Sequence, residues 1–252
     1  FLNEARLAAR LAHPNVIQTF EAGTEDGSYF LAMEYIDGQP LSRVLKALMR
    51  AKRRMDPKIA ARICADALRL AKRSGYTNAG TVEFLVAGDS HYFIEVNARL
   101  QVEHTVTEQI TGLDLVRLQI RVAEGERLPF KQEDLQIRGH AIEVRVYAED
   151  PANNFLPDIG TLSTYKRPQG HGIRVDDGFE QGMSIPFYYD PMIAKMICHA
   201  GTRSEAIAKT LRAIREYEIT GVQTTLPFCA FVLEHDAFTS GNFDTRFVEL
   251  FF

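Results

Sequence analysis

The sequence lacks the features that mark membrane, secreted and nucleic-acid-binding proteins. Its 252 residues contain no apolar run near the roughly 20 residues that a membrane-spanning helix requires, and no secretory signal is visible. The three cysteines, at positions 64, 198 and 229, are odd in number and lack metal-ligand spacing, which predicts free thiols and a cytoplasmic location. Net charge is −4, from 29 basic and 33 acidic residues, so composition does not favour binding to nucleic acid or an anionic membrane.

Repeats and low-complexity tracts are also missing from the sequence. Hydrophobic residues make up 46% of the chain and charged residues 25%, as in ordinary globular proteins. The length predicts one or two domains. The first residue is Phe1 rather than methionine, which suggests a fragment of a longer protein.

The strongest pattern in the sequence is the strict alternation of residues 95–103. Polar side chains occupy every odd position and apolar side chains every even one. In an extended chain successive side chains point to opposite faces, so this segment predicts a strand with one polar face. The polar set consists of Glu95, Asn97, Arg99, Gln101 and Glu103.

Residues 80–87 and 91–96 flank a Gly-Asp-Ser break and predict an antiparallel hairpin. A two-residue loop would pair Phe84 with Phe93. A three-residue loop at 88–90 pairs Phe84 with Ile94 and keeps one face entirely apolar, so we favour it. This register sets Glu83 opposite Glu95, where like charges repel unless a proton or a cation lies between them.

The polar face of this hairpin suits ATP-driven activation of a small anion. The two carboxylates and the amide of Asn97 are oxygen ligands that favour Mg²⁺ or Mn²⁺ beside nucleotide phosphates. Arg99, with Gln101 further along the face, can pair with an oxyanion such as bicarbonate. Glu103 is a candidate general base. The alternative is an exposed sheet edge at which solvent screens both glutamates.

The segments Asn78–Phe84 and Glu95–His104 resemble the biotin carboxylase component of biotin-dependent acyl-CoA and pyruvate carboxylases, which belongs to the ATP-grasp superfamily. The resemblance continues through residues 139–145, 148–151 and 189–195. It implies a mixed α/β (α+β) fold with largely antiparallel sheets. The C-terminal part of an ATP-grasp domain would be followed by the biotin carboxylase C-terminal domain.

The resemblance assigns four hairpin residues to the nucleotide. The residues that match Glu83, Glu95 and Asn97 bind the two Mg²⁺ or Mn²⁺ ions that bridge ATP, and Glu83 and Glu95 thereby contribute to the ATP site. Leu85 matches an apolar contact of the adenine pocket, although it is equally well explained as an ordinary core residue.

The resemblance assigns the remaining site residues to bicarbonate and biotin. Arg99, Gln101 and the backbone of Val102 match residues that hold bicarbonate, and Glu103 matches the base that removes its proton. Arg145 matches the arginine that stabilises the biotin enolate, and Arg99 also contacts intermediates. Because Arg145 stands on the strand face opposite the apolar residues 142, 144 and 146, we expect its guanidinium to reach the pocket bounded by Arg99 and Glu103.

Two further expectations concern the neighbours of this site. A purely structural ion pair between Arg145 and Glu143 or Glu149 remains an alternative to the biotin-binding role. Lys195, within the Tyr-Asp-Pro-Met-Ile-Ala-Lys segment, is expected to shape the C-terminal domain rather than to react.

The cofactors and partners implied by the resemblance are those of a carboxylase complex. They are ATP, Mg²⁺ or Mn²⁺, biotin on a carboxyl carrier protein or domain, and a carboxyltransferase subunit. The intact enzyme is expected to form a homo-oligomer.

Residues 1–68 resemble a fragment of the small lobe of a Ser/Thr protein kinase. Glu4 would be the glutamate of its helix, Met33 the gatekeeper and residues 34–36 the hinge. The glycine-rich loop, the strand lysine, and the His-Arg-Asp and Asp-Phe-Gly motifs are missing, so we expect this segment to be inert. The two resemblances meet within residues 63–69, which suggests recombination, an engineered fusion or an assembly artefact.

The expected domains are residues 1–70, 71–135 and 136–252. Two competing interpretations remain, a non-catalytic chimeric fragment and a kinase-derived signalling module.

Local patterns predict several further elements. Residues 41–54 predict a helix, residues 105–125 one largely buried helix, and residues 236–252 an irregular aromatic tail. Thr202 and Glu205 have the spacing of a capping box that opens a helix through Tyr217.

Overall fold

The structure is a computed structural model that describes residues 16–17, 19–25, 28–40, 56–87, 89–243 and 246–252. The chain divides into two compact units, Phe1–Gln101 and Val102–Phe252. The kinase-like Glu4 and the helix predicted over residues 41–54 lie outside the described residues.

The described part of the first unit contains two small antiparallel sheets and one long helix. Strands β1 and β2 form a hairpin, and β3, β4 and β5 form a sheet in that order. The elements are β1 (Thr19–Glu25), β2 (Ser28–Met33), β3 (Gln39–Pro40), α1 (Pro57–Ser74), β4 (Thr81–Ala87) and β5 (Ser90–Asn97).

Helix α1 has clear start and stop signals. The side chain of Asp56 accepts a hydrogen bond from the backbone N–H of Lys58 at 2.7 Å, and proline stands in the first turn. Gly75 ends the helix in the left-handed conformation (φ 66°). Ile63 of the helix is buried with Phe84 and Val86 of β4. The helix therefore runs without a break through residues 63–69, where the two sequence resemblances meet.

The second unit is built around a three-stranded antiparallel sheet in the order β10, β11, β6. In chain order, the elements up to β10 are α2 (His104–Thr111), α3 (Leu115–Ala123), β6 (His140–Tyr147), β7 (Glu149–Asp150), β8 (Leu156–Pro157), β9 (Thr164–Lys166) and β10 (Ile173–Asp177). Those that follow are β11 (Met192–Ala200), α4 (Arg203–Glu216), β12 (Glu218–Thr220), α5 (Leu226–Glu234), α6 (Asp236–Thr239) and α7 (Phe247–Phe251).

Strand β11 is the centre of the core of this unit. It pairs with both β10 and β6, and its residues Ile193, Met196 and Ile197 are almost fully buried. Helix α4 covers the face of the sheet that carries Met196. Thr202 and Glu205 form the predicted capping box at the start of α4, which is confirmed.

The single buried helix predicted over residues 105–125 is wrong. The structure has two helices, because Gly112 adopts the left-handed conformation (φ 75°) that ends α2. Asp114 then caps α3 by accepting a hydrogen bond from the N–H of Arg117 at 2.8 Å. Val116 and Ile120 are 46% and 56% exposed, so α3 is not buried. Helical spacing showed an apolar face but not whether another element covers it.

The predicted irregular tail over residues 236–252 is also wrong, since the short helices α6 and α7 lie there. The fold class is confirmed: the protein is a mixed α/β protein in which every pair of named strands is antiparallel. Within the described ranges, the helices are too short or too polar to cross a bilayer.

Gly221 supplies a test of the packing in the second unit. It has φ 99°, and a Cβ atom there would lie 1.9 Å from the backbone oxygen of Thr161. We expect Gly221→Ala to lower the free energy of unfolding by about 2–5 kcal/mol, because backbone strain and overpacking add. Gly182→Ala is the matched control, with φ 89° and no heavy atom within 4 Å of the added carbon. Its cost should be about 1 kcal/mol. Equal urea midpoints for the two variants would contradict this account.

Candidate active site

The β4–β5 hairpin brings two carboxylates and one amide together. Glu83 lies directly opposite Glu95, as predicted. The Nδ2 atom of Asn97 donates to Glu83 Oε1 at 3.2 Å and to Glu95 Oε1 at 2.9 Å. The two carboxylate oxygens therefore converge on one point, which an amide N–H₂ group occupies. A half-turn of that amide would present Oδ1 instead, and the donor set would then suit a hard divalent cation.

The predicted three-residue loop is wrong, although the pairing of the two glutamates is right. Ser90 pairs with Ala87, and Phe84 pairs with Phe93. A β-bulge after this pair shifts the register by one residue. As a result, Glu83 pairs with Glu95, as it would have done with the predicted loop. Phe93 faces the core because it pairs with Phe84, against which it packs, while Ile94, the inserted residue, is 40% exposed. Strict alternation could not include such an insertion.

The strand predicted to reach Glu103 ends at Asn97. Asn97 pairs with Thr81, the first residue of β4, so the following residues have no partner on that strand. Arg99 turns back and donates from Nη2 to Asn97 Oδ1 at 3.4 Å. Gln101 accepts a hydrogen bond from Thr81 Oγ1 at 3.0 Å. Both side chains thus remain at this end of the hairpin, although neither belongs to the strand.

Leu85 lies on the same face of β4 as Glu83, because the two residues are two positions apart. It is partly buried and is not a member of the buried cluster of Phe84, Val86 and Ile63. Leu85 thus lies on the face of the carboxylates and outside that cluster. Its contact with adenine stays a prediction.

A second group of charged residues surrounds the start of α2. Arg145 of β6 donates from Nη2 to Glu103 Oε2 at 2.7 Å, which confirms the expected approach of these two side chains. The alternative ion pair is also present but longer, with Arg145 Nε 3.8 Å from Glu143 Oε1. The expected proximity of Arg145 to Arg99, which belongs to the other compact unit, stays a prediction.

Two residues of this group were named in the sequence analysis but were given no role at the site. Lys195 of β11 donates from Nζ to the carbonyl oxygen of Val102 at 3.1 Å. Glu143 of β6 accepts a hydrogen bond from the hydroxyl of Thr105 in α2. Lys195 stands between the buried residues 194 and 196, so strand alternation would have placed its side chain on the opposite face from the core.

Glu143 is the most buried charged group of this cluster, with a side chain only 6% exposed. Burial raises its pKa because the ionised form loses its hydration. The hydrogen bond from Thr105 and the positive charges of Lys195 and Arg145 oppose this change without cancelling it.

Two family models match the chain. Residues 143–250 match the family described as the biotin carboxylase C-terminal domain. Residues 46–131 match the ATP-binding domain of the carbamoyl-phosphate synthase L chain.

Individual relatives share nearly half of their aligned residues with the chain. Biotin carboxylase 1 of Bacillus subtilis is 48% identical over 199 residues, which are 78% of this chain and 44% of the relative. Pyruvate carboxylase of Staphylococcus aureus is 46% identical over 204 residues, and the match covers 77% of this chain and 18% of the relative.

Solved structures of biotin carboxylases are also similar to the chain. The biotin carboxylase domain of Hydrogenobacter thermophilus 2-oxoglutarate carboxylase, a dimer in complex with MgADP, ADP and bicarbonate, has a TM-score of 0.71 and 43% identity. The match covers 77% of this chain and 43% of that one. A biotin carboxylase complex from Campylobacter jejuni has a TM-score of 0.70 and 42% identity, with 77% and 44% coverage.

The hairpin and the domain that follows it thus define the C-terminal portion of an ATP-grasp carboxylase fold. Within that class, the chain belongs to the biotin carboxylase family. It spans less than half the length of these relatives.

The raised pKa of Glu143 predicts a pH-dependent stability. The native state keeps the proton of Glu143 at a higher pH than the unfolded chain does, whose ordinary value is 4.5. This contribution to stability is therefore complete below pH 4.5 and is lost as the pH rises through the raised pKa. Gln at this position has a similar shape and does not titrate. We expect the unfolding free energy of Glu143→Gln, relative to the unsubstituted chain, to rise with pH across that window and then level off.

Urea unfolding at several pH values on both sides of 4.5 checks this expectation. Thr105→Val provides the comparison, because it removes the hydrogen bond that lowers the pKa of Glu143. It should extend the pH range over which stability falls. A difference between Glu143→Gln and the unsubstituted chain that does not change with pH would contradict the burial argument.

Proposed function

We propose that this chain supplies the metal-binding strand, the bicarbonate site and the general base of an enzyme that uses ATP and bicarbonate to carboxylate biotin on a carrier protein. The observation that carries this proposal is the convergence of the Glu83 and Glu95 carboxylates on one point beside Asn97. The family relationship supports it, as does the MgADP and bicarbonate bound to the related 2-oxoglutarate carboxylase domain.

Glu83, Glu95 and Asn97 would hold Mg²⁺ or Mn²⁺ (two ions, by the family resemblance), whose positive charge neutralises the phosphates of ATP during phosphoryl transfer. Leu85, on the same face of β4, would contact the adenine. The guanidinium of Arg99, the amide of Gln101 and the backbone of Val102 would hold bicarbonate through hydrogen bonds to its oxygen atoms.

Glu103 would remove the proton of bicarbonate while a bicarbonate oxygen attacks the γ-phosphorus of ATP. ADP leaves and carboxyphosphate forms, which breaks down to CO₂ and phosphate. Phosphate then takes the N–H proton of biotin, and the resulting nitrogen attacks CO₂. Arg145 would stabilise the negative oxygen of the biotin enolate. In the structure Arg145 is bonded to Glu103, so the biotin oxygen must share or replace that bond.

The remaining features of the complex are part of the same proposal. The enzyme would act in the cytoplasm as a homo-oligomer, together with a biotinylated carrier and a carboxyltransferase. The proposed domains are residues 1–70, 71–135 and 136–252. The family matches at 46–131 and 143–250 support the second division. The first match overlaps the kinase-like segment over residues 46–68, so the two assignments compete there.

Metal binding by the hairpin tests the proposal directly. We expect low concentrations of Mn²⁺ to broaden the amide NMR signals of residues 83, 95 and 97 before those of other residues, because the three side chains would be its ligands. Replacing both glutamates (Glu83→Gln with Glu95→Gln) should abolish this selectivity. Asp89→Asn, at the turn of the same hairpin, is the matched control and should leave it unchanged. Uniform broadening in the unsubstituted chain would count against a metal site.

We also propose that the 252-residue chain by itself does not complete the reaction. In ATP-grasp carboxylases the phosphate-binding lysines and the glycine-rich lid precede the region matched here, and residues 1–70 contain no glycine-rich phosphate loop. Losing one such electrostatic group typically costs ~10²–10³ in rate, so the loss of several should abolish turnover.

The assay is bicarbonate-dependent phosphate release with free biotin, and Glu103→Gln is the comparison. We expect both chains to give only background release. Release by the unsubstituted chain that the variant abolishes would show that the missing groups are dispensable.

A further inference from the structure

Lys195 and Arg145 are neighbours that reach two consecutive residues. They are directly opposite each other in the pairing of β11 with β6, so their side chains share one face of the sheet. Lys195 donates to the carbonyl oxygen of Val102, and Arg145 donates to the carboxylate of Glu103. Residues 194 and 196 are buried in the core on the other face, so the backbone of Lys195 is held rigidly.

The two contacts involve the residues that immediately precede α2. Glu103 is the N-cap residue of α2, but its side chain makes no capping hydrogen bond and is directed to Arg145 instead. The carbonyl of Val102 and the N–H of Glu103 belong to one peptide plane. A hydrogen bond to this carbonyl therefore fixes the peptide plane that joins the Cα atoms of Val102 and Glu103, from which the Val102 N–H and the Glu103 side chain extend.

We propose that Lys195 is a positioning residue, whose ammonium group holds the Val102 peptide so that the backbone amide of Val102 and the carboxylate of Glu103 are correctly placed for bicarbonate. This inference rests on the proposed function, in which these two groups bind and deprotonate bicarbonate. A lysine suits the task, because a charged donor makes a stronger bond to a carbonyl oxygen than a neutral one does.

Lys195→Met tests this role, because methionine nearly matches the stem but has no donor. Lys209→Met is the matched control, since Lys209 also donates to backbone carbonyls, those of His171 and His199, elsewhere in the same unit. Lys195→Arg retains a charged donor. The carbonyl ¹³C resonance of Val102 reports the hydrogen bond, and amide shifts during a bicarbonate titration report affinity.

We expect Lys195→Met to move the Val102 carbonyl resonance upfield, because the carbonyl loses its charged donor. We also expect bicarbonate binding to weaken up to about tenfold, because binding must then restore the peptide orientation that the bond otherwise holds. Lys195→Arg should largely restore both. Lys209→Met should change neither, while both methionine variants keep dispersed amide spectra. If Lys195→Met does not fold, Lys195→Arg is compared with Lys195→Gln instead. Only the arginine variant should then keep the Val102 carbonyl resonance and the bicarbonate affinity of the unsubstituted chain.

An unchanged Val102 resonance in Lys195→Met would overturn the contact. A shifted resonance with unchanged bicarbonate affinity would show a purely structural bond and overturn the positioning role. Failure of the unsubstituted chain to bind bicarbonate would instead overturn the proposed function, and the positioning role with it.

Discussion

The antiparallel pairing of β6 with β11 is the constraint on which the second unit depends. On one face of this pair, Val144, Val146 and Met196 close the hydrophobic core beneath α4. On the other face, the same register places Arg145 beside Lys195. Because side chains alternate along both strands, the core and the charged cluster are fixed together. A register slip of one residue would bury the charges and expose the core.

The charged cluster on that outer face is balanced rather than simply basic. Two cations lie side by side, and the carboxylates of Glu103 and Glu143 accompany them. Glu143 is nearly inaccessible to solvent, and its hydrogen bond with Thr105 connects the sheet to α2. Such a buried polar network restricts the position of the helix, because each unsatisfied group would incur a desolvation penalty.

The hairpin of the first unit shows a different use of charge. Like charges that face each other across two strands destabilise the pair, yet the β-bulge preserves this arrangement instead of relieving it. The amide of Asn97 offsets the repulsion by donating to both carboxylates. An arrangement that is unfavourable without a counter-charge is what a cation-binding site requires.

The sequence by itself determined the family, the candidate site residues and much of the local structure. Alternation and the apolar face predicted the hairpin and the facing of Glu83 and Glu95, and the capping pattern at Thr202 predicted the start of α4. The family motifs identified Arg145, and its approach to Glu103 followed from its position on the outer face of a strand. The capping pattern and the pairing of the hairpin depend on neighbours in sequence or on one strand pair, so local patterns predicted them, although the facing of the two glutamates arises through a bulge that no pattern showed. The approach of Arg145 to Glu103 spans 42 positions and was predicted only with the help of the family motifs.

Tertiary structure alone decided where the alternation stops and what the remaining charges contact. The strand ends at Asn97 because β4 supplies no partner beyond Thr81, and Ile94 is the extra residue between the pairs Phe84–Phe93 and Glu83–Glu95. Lys195 is 93 positions from Val102, and Glu143 is 38 from Thr105. Contacts over such separations arise only when β6, β11 and α2 pack together, since no periodicity within one segment specifies its distant partner.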